Sequence, residues 1–444
     1  MSITSAGQVA RQGTRSRTAV CLLVPMTLLF AHFMHGSDAL VQTAWAGLAV
    51  CLSLGGILLM RPASDIPPAA LGMFLILGLF VTAGFVGNWH QARTEVTQLA
   101  IAILVWTSGA MLARSRTLLL NTWTALSASL AIYAAIALFS YPISAAGAEN
   151  HDHIEHAYRL SFTFNSPNIF ASLMGLGVII SVTHIAYLMR TRVASGIPLL
   201  ARLNYLPREG MVSIVALFLC GSCLVLSLSR AAILLTLGFF AFTAVAEVFV
   251  RRTSETVLLK KYRYRIIGAL VVSFGLVLLA VLTFGDFGAR AGNLGADGAG
   301  RWSLLSEYWA AWQKHPVFGH GLGSFNRINE SITTMDNAAL LVLLGAAHNV
   351  VLQWLLQVGL AGLAAMALVQ LYLHRQIIIG ACQGTYRTRS YVARMTLAAS
   401  VFLFLHNMID FPLEVPSVMW TYAFLLGLAC GMAGEVGSSR ARKR

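Results

Sequence analysis

Arg230 stands between two largely apolar runs, Met211 to Leu228 and Ala231 to Val250, each long enough to cross a bilayer. Charge held against hydrocarbon is costly, so a guanidinium left at the membrane surface by so tight a turn is a functional-site candidate. Arg301, in a long polar insert, and His348, at the start of another apolar run, make the same demand. A guanidinium binds phosphate oxygens bidentately and stays charged. An imidazole near neutral pH can take a proton from a hydroxyl. At the first turn of a helix His348 also feels the positive end of the dipole, which favours the neutral ring. Together the three suggest a cationic site built on the ends of spans. Each has a plainer reading: Arg230 as an anchor reaching headgroup phosphates, Arg301 as a solvated charge, His348 as a helix cap.

The elements that must position these residues follow from composition. Hydrophobic residues make up 57% of the chain and charged ones 11%, and the mean hydropathy is +0.72. Runs of about twenty apolar residues recur, the signature of an all-α polytopic membrane protein. Spans are expected near 18–34, 39–59, 69–87, 95–113, 118–140, 168–189, 211–228, 231–250, 266–285, 347–373, 393–410 and 415–433. That makes about 12 transmembrane helices in a single membrane domain, 1–444, with both termini on one side. Placing the termini in the cytoplasm puts 24 of the 31 basic residues on the inner side, as the positive-inside rule requires. The net charge of +14 is thereby explained by topology, without a nucleic-acid partner.

The basic N-terminal stretch resembles a signal peptide, but without a clear small-residue cleavage site after Met34 it reads as a retained first span. The six cysteines avoid the outer loops and offer no disulfide framework, and Cys220 and Cys223 read as small core residues of an apolar helix. Two outer segments are long, a first periplasmic loop over 141–165 and a larger, partly helical one over 286–346, between spans 9 and 10. Loops of this length in a membrane domain usually carry function. The larger turns helical from Arg301, with an aromatic face suited to the membrane surface. The following Pro316 to Phe325 stretch is punctuated by glycines but lacks the Lys-Ser/Thr of a P-loop. Ala338 to Leu373 is too long for one perpendicular span, and Gly345 to Asn349 is its natural break. His151, Asp152, His153, Glu155 and His156 have the right types for metal, but no rigid scaffold holds them, so a solvated polar loop is expected and no metal is assigned.

Several segments in order carry a resemblance: Phe164 to Ala171 opening the sixth span, Ser227-Leu228-Ser229-Arg230, Arg301 through Gly323, His348-Asn349 followed by Gln357, Gly359 and Gly362, and His406 to Leu413. From about residue 160 to 430 the chain resembles the bacterial O-antigen ligase and polymerase superfamily. The resemblance implies glycosyl transfer from an undecaprenyl-pyrophosphate-linked glycan donor to an acceptor hydroxyl at the periplasmic face of the inner membrane. It also implies that no cofactor or nucleotide sugar is used. Arg230 and Arg301 would then neutralise the leaving pyrophosphate, and His348 would be the base of a one-step inverting displacement. Arg159, Asn165, Asn168, Asn349, His320 and His406 are the candidate substrate contacts, although His406, with Asp410 one turn later, could instead tie two helices together. Lipid A core leads as acceptor, giving O-antigen ligase, with a second glycan, as in O-antigen or exopolysaccharide polymerase, as the alternative. A lipid-linked glycan flippase is the reading from another class. The internal repeats that transporters often carry are not evident.

Overall fold

The computed structural model describes residues 19–37, 39–86, 89–147, 159–193, 204–250, 294–342, 344–382 and 387–433. Among these residues every regular element is a helix. In chain order they are α1 (Ala19–Phe33), α2 (Leu40–Leu58), α3 (Pro68–Val86), α4 (Trp89–Ala113), α5 (Arg116–Gly147), α6 (Pro167–Thr191), α7 (Arg208–Leu226) and α8 (Arg230–Val250). There follow α9 (Leu294–Trp312), α10 (Phe325–Ile332), α11 (Ala338–Leu341), α12 (Val350–Cys382), α13 (Arg387–Asn407) and α14 (Pro416–Ala433). In hydrocarbon every backbone polar group must be satisfied within the protein, and a helix does this within its own segment. Among the described residues six helices are long and apolar enough to cross a membrane: α2, α4, the Arg116–Tyr141 part of α5, α6, α7 and the Val350–Ile379 part of α12. Shorter apolar helices cover Ala19–Phe33, Pro68–Phe80, Arg230–Phe240 and Pro416–Met432. The span expected near 266–285 lies outside the described residues.

Small residues let the helices approach. A Cβ on Gly427 would meet the Trp106 carbonyl oxygen at 2.1 Å, and one on Gly431 the Ala110 carbonyl oxygen at 2.1 Å. This Gly-xxx-Gly face of α14 therefore brings its backbone against that of α4, the packing that membrane helices favour. α6 is almost wholly enclosed, packed on α5, α7, α8 and α13. Cys220 and Cys223 are buried core residues, with their thiols directed at the Leu130 and Ala134 carbonyls of α5.

Alternation of the helices sorts their connections to two ends. At one end Asp65 bridges Arg61 and Arg114, each at 3.2 Å, tying the α2–α3 connection to the α4–α5 connection. At the other, the α1–α2 turn meets the segment before α6 through His35 Nδ1, 3.0 Å from the Thr163 carbonyl. Leu160 N–H in that segment donates to the Leu226 carbonyl at the end of α7.

α12 carries a break in addition to the expected one. Its N-terminus follows a non-helical stretch at 344–349, but the helix is interrupted again at Gly359, with φ 63 and ψ −167. The interruption frees backbone groups, and the turn after α9 satisfies them. His320 and Gly321 donate to the Leu356 and Gln357 carbonyls at 2.8 Å, while Leu360 and Ala361 donate to the Pro316 and Val317 carbonyls at 3.0 Å. Beyond the break Leu360–Cys382 is about 34 Å long at 1.5 Å per residue, enough for the hydrocarbon core. The part before it, Val350–Val358, instead contributes Leu352 and Leu356 to a small core with Leu304, Tyr308, Phe325 and Ile328 of the long loop. An excess of helix over membrane thickness is thus absorbed at a glycine.

Candidate active site

Four connections meet at the end of the bundle that carries His35. Ser227-Leu228-Ser229 joins α7 to α8, and Leu228 takes φ 52 there, with the Ser227 hydroxyl accepting from Ser229 N–H at 3.3 Å. Ser229 then starts α8, its carbonyl accepting from Ile233 N–H, so Arg230 becomes the first residue of that helix, half-buried. In the segment before α6 Phe162 has φ 51, and before α12 His348 has φ 54. With His35, these make up the non-glycine residues of positive φ among the described ones, and all four lie at this end. Such conformations cost on the order of 1–3 kcal/mol each and persist where surrounding structure imposes them, typically at functional sites.

A polar chain links these connections. Arg159 donates through Nε to the Ser227 carbonyl at 3.0 Å and through a terminal nitrogen to Asn168 Oδ1 at 2.7 Å. Asn168 Nδ2 donates to Asp410 Oδ2 at 2.7 Å. The other carboxylate oxygen, Oδ1, accepts from Phe411 N–H at 2.9 Å and faces His348 Nδ1 at 3.9 Å, an ion-pair distance rather than a hydrogen bond. The His348 ring stands edge-on to Phe411, with centroids 4.7 Å apart. Asn349 caps α12, its Oδ1 accepting from Leu352 N–H at 3.0 Å and its Nδ2 donating to the Met408 carbonyl at 3.1 Å. The His348-Asn349 pair is thereby pinned to the α13–α14 connection. Asp410 is 3% exposed, whereas the His348 side chain is 28% exposed, so a buried carboxylate stands behind an accessible imidazole.

Not all the sequence candidates join this group. Asn168 and Arg159 do, but their polar atoms are engaged in building it. Asn165 is exposed two residues before α6. His406 is 1% exposed, with Nδ1 2.7 Å from the Ser172 hydroxyl, so it ties α13 to α6 beneath Asn168 and does not line the site. His320 belongs to the turn docked on the Gly359 break, its Nε2 donating to the Ala311 carbonyl at 3.0 Å. Burial, helped by the charges of His315, Arg327 and Lys314, lowers its pKa against that hydrogen bond. Arg301 lies in α9, but its side chain and the His151 to His156 segment are outside the described residues.

In the sequence Asp410 stands only as a companion of His406, and its link to Asn168 spans 242 positions that periodicity does not register. A second carboxyl group stands nearby. Glu414, one turn beyond Asp410, is pushed up to about 8 by burial and by the charge of Glu95, against a hydrogen bond from Gln353. Gln353 in turn accepts from Ala347 N–H at 2.8 Å. The acidic residues within Asp410-Phe411-Pro412-Leu413-Glu414 were the available signal.

The fold and site define a polytopic helical membrane protein with a cation-, histidine- and carboxylate-bearing site at one end. Residues 215–367 match the family described as O-antigen ligase, which supports the resemblance to the O-antigen ligase and polymerase superfamily. The matched stretch contains Arg230, Arg301 and His348, while Arg159, Asn168 and Asp410 lie outside it. No curated protein matches the chain.

Proposed function

We propose that this protein transfers a glycan from undecaprenyl pyrophosphate to an acceptor hydroxyl at the periplasmic face of the bacterial inner membrane, with lipid A core as the acceptor. The family match supports a ligase or polymerase acting on lipid-linked glycans in a membrane. The observation that carries the mechanism is the half-exposed His348 backed by the buried Asp410, on the same end of the bundle as Arg230.

In the proposed step the acceptor hydroxyl gives its proton to His348 as its oxygen bonds to the anomeric carbon. The bond from that carbon to the pyrophosphate oxygen breaks on the opposite face, and its electron pair leaves with the pyrophosphate. Arg230 and Arg301 offset the charge that grows there, as fixed donors do in other transfer reactions. Asp410 faces the Nδ1 side of the imidazole, orienting the ring and stabilising the imidazolium that forms, the role a buried carboxylate plays behind a histidine base. The configuration inverts, and no covalent enzyme intermediate or metal enters the step. The 141–165 and 286–346 segments would flank this site on the periplasmic side.

The test is transfer by purified protein from an undecaprenyl-pyrophosphate glycan, with and without lipid A core, in EDTA, with the product's anomeric configuration read by NMR. Core-dependent transfer with inversion is expected. Lengthening of the carrier-linked glycan without core would make the protein a polymerase, and retention of configuration would overturn the single displacement.

A further inference from the structure

The aromatic residues of α9 divide between two faces. Tyr308 is buried with Leu304 and Ala311 against α10 and the first part of α12. Trp302, Leu305, Trp309 and Trp312 fall at i, i+3, i+7 and i+10, a second stripe along one side of the helix. Trp302 is 74% exposed and Trp309 48% exposed. A third side, with Ser303 and Ser306, is exposed and polar. The helix thus presents one face to its own core, one polar face, and between them an apolar edge on which Leu305 and Trp312 are half-buried against that core while Trp302 and Trp309 stand exposed.

The apolar face continues past the helix. Trp309 packs on Trp312 at 4.5 Å between centroids, and Trp312 Nε1 donates to the Pro316 carbonyl at 3.2 Å. Val317 and Phe318 follow, both exposed, Phe318 by 77%. The same Pro316 and Val317 carbonyls hold Leu360 and Ala361 just below the Gly359 break. Leu360, Leu368, Leu371, Tyr372 and Ile378 are the exposed large apolar residues of α12 from there on, the surface a membrane span turns to lipid. A Cβ on Gly359 would lie 2.3 Å from the Val317 oxygen, so the turn sits against the span backbone with no space between. Lys314 and His315, also exposed, stand at the edge of the stripe.

We propose that Trp302 and Trp309 of α9, with Val317 and Phe318, form a membrane-docking surface seated in the outer-leaflet interface, continuous with the lipid-facing side of α12. Indole rings favour that depth, where the ring is in apolar surroundings and its N–H stays near polar groups. Lys314 and His315 are placed to meet headgroup phosphates, whose attraction adds to burial of the apolar face. The occupant is therefore phospholipid. Through this docking the long loop carrying Arg301 is fixed in height relative to the Gly359 break.

The experiment places benzoylphenylalanine singly at Trp302, Trp309 or Phe318, at Leu368 as a lipid-facing reference, and at Asn326, an exposed polar residue of the same loop. Each protein is reconstituted without donor into vesicles of phosphatidylethanolamine and phosphatidylglycerol and irradiated. Phospholipid adducts at the three stripe positions should match the yield at Leu368 and exceed that at Asn326 several-fold. Yields equal to those at Asn326, or adducts to a second copy of the chain in their place, would overturn the proposal. Because no turnover is measured, the result is independent of the transfer reaction.

Discussion

At Asp410 one carboxylate gathers three elements: Asn168 from α6, the Phe411 amide of its own turn, and His348 ahead of α12. It is almost fully buried, and a charge so placed is retained where its partners use it. Replacing it with Asn keeps the shape and the acceptor for Phe411 but removes the charge facing His348 and the acceptor for Asn168 Nδ2. The Asp410→Asn protein should insert and fold, yet lose transfer by on the order of 10², within the range that a positioned general base contributes. The loss should fall on kcat more than on KM, because donor binding rests on the arginines. Steady-state kinetics on the two proteins would check this, and unchanged kcat would remove Asp410 from the mechanism. The sequence made the basic partners visible, since Arg230, Arg301 and His348 stand out against apolar runs. An aspartate four residues after a histidine at the end of a span has no such contrast, and its meaning comes from Asn168 across the fold.

At the scale of elements, the docked turn and the broken α12 depend on glycine. Gly319 has φ 68 and a Cβ there would lie 2.6 Å from the Gln357 backbone, while Gly359 has φ 63 and its Cβ would lie 2.3 Å from the Val317 oxygen. Neither approach leaves room for a side chain, and at Gly359 φ 63 with ψ −167 is a backbone conformation open essentially to glycine alone. Gly359→Ala should therefore undock the turn, costing about 1–3 kcal/mol in local strain, while leaving the remaining spans inserted. Limited proteolysis within 313–324 should become faster in the variant, and equal rates would show that the turn is held by other contacts. The apolar period of this region was plain in the sequence, and so was its excess length. The position of the break was not, because a glycine inside an apolar helix looks the same whether it bends the chain or merely packs.

Over the whole molecule, the alternation of apolar runs and basic connections gave the helices and sorted their ends, because both depend on local composition. Observed contacts agree with that sorting: Asp65 joins two connections expected inside, and Arg159, His35 and Leu160 join connections expected outside. Residues whose roles arise from packing were harder to read. His406 and Asn168 look alike as polar residues near span ends, yet one is sealed against Ser172 and the other reaches Asp410.

Whether this end of the bundle transfers glycan is tested by comparing purified wild type with His348→Ala and Arg230→Ala in proteoliposomes. Both transfer to lipid A core and movement of the lipid-linked glycan across the bilayer would be followed. Transfer by the wild type and a loss of about 10²–10³ in each variant are expected, with the proteins equally folded. Movement of the lipid across the bilayer without transfer, or variants that transfer at the wild-type rate, would contradict that expectation.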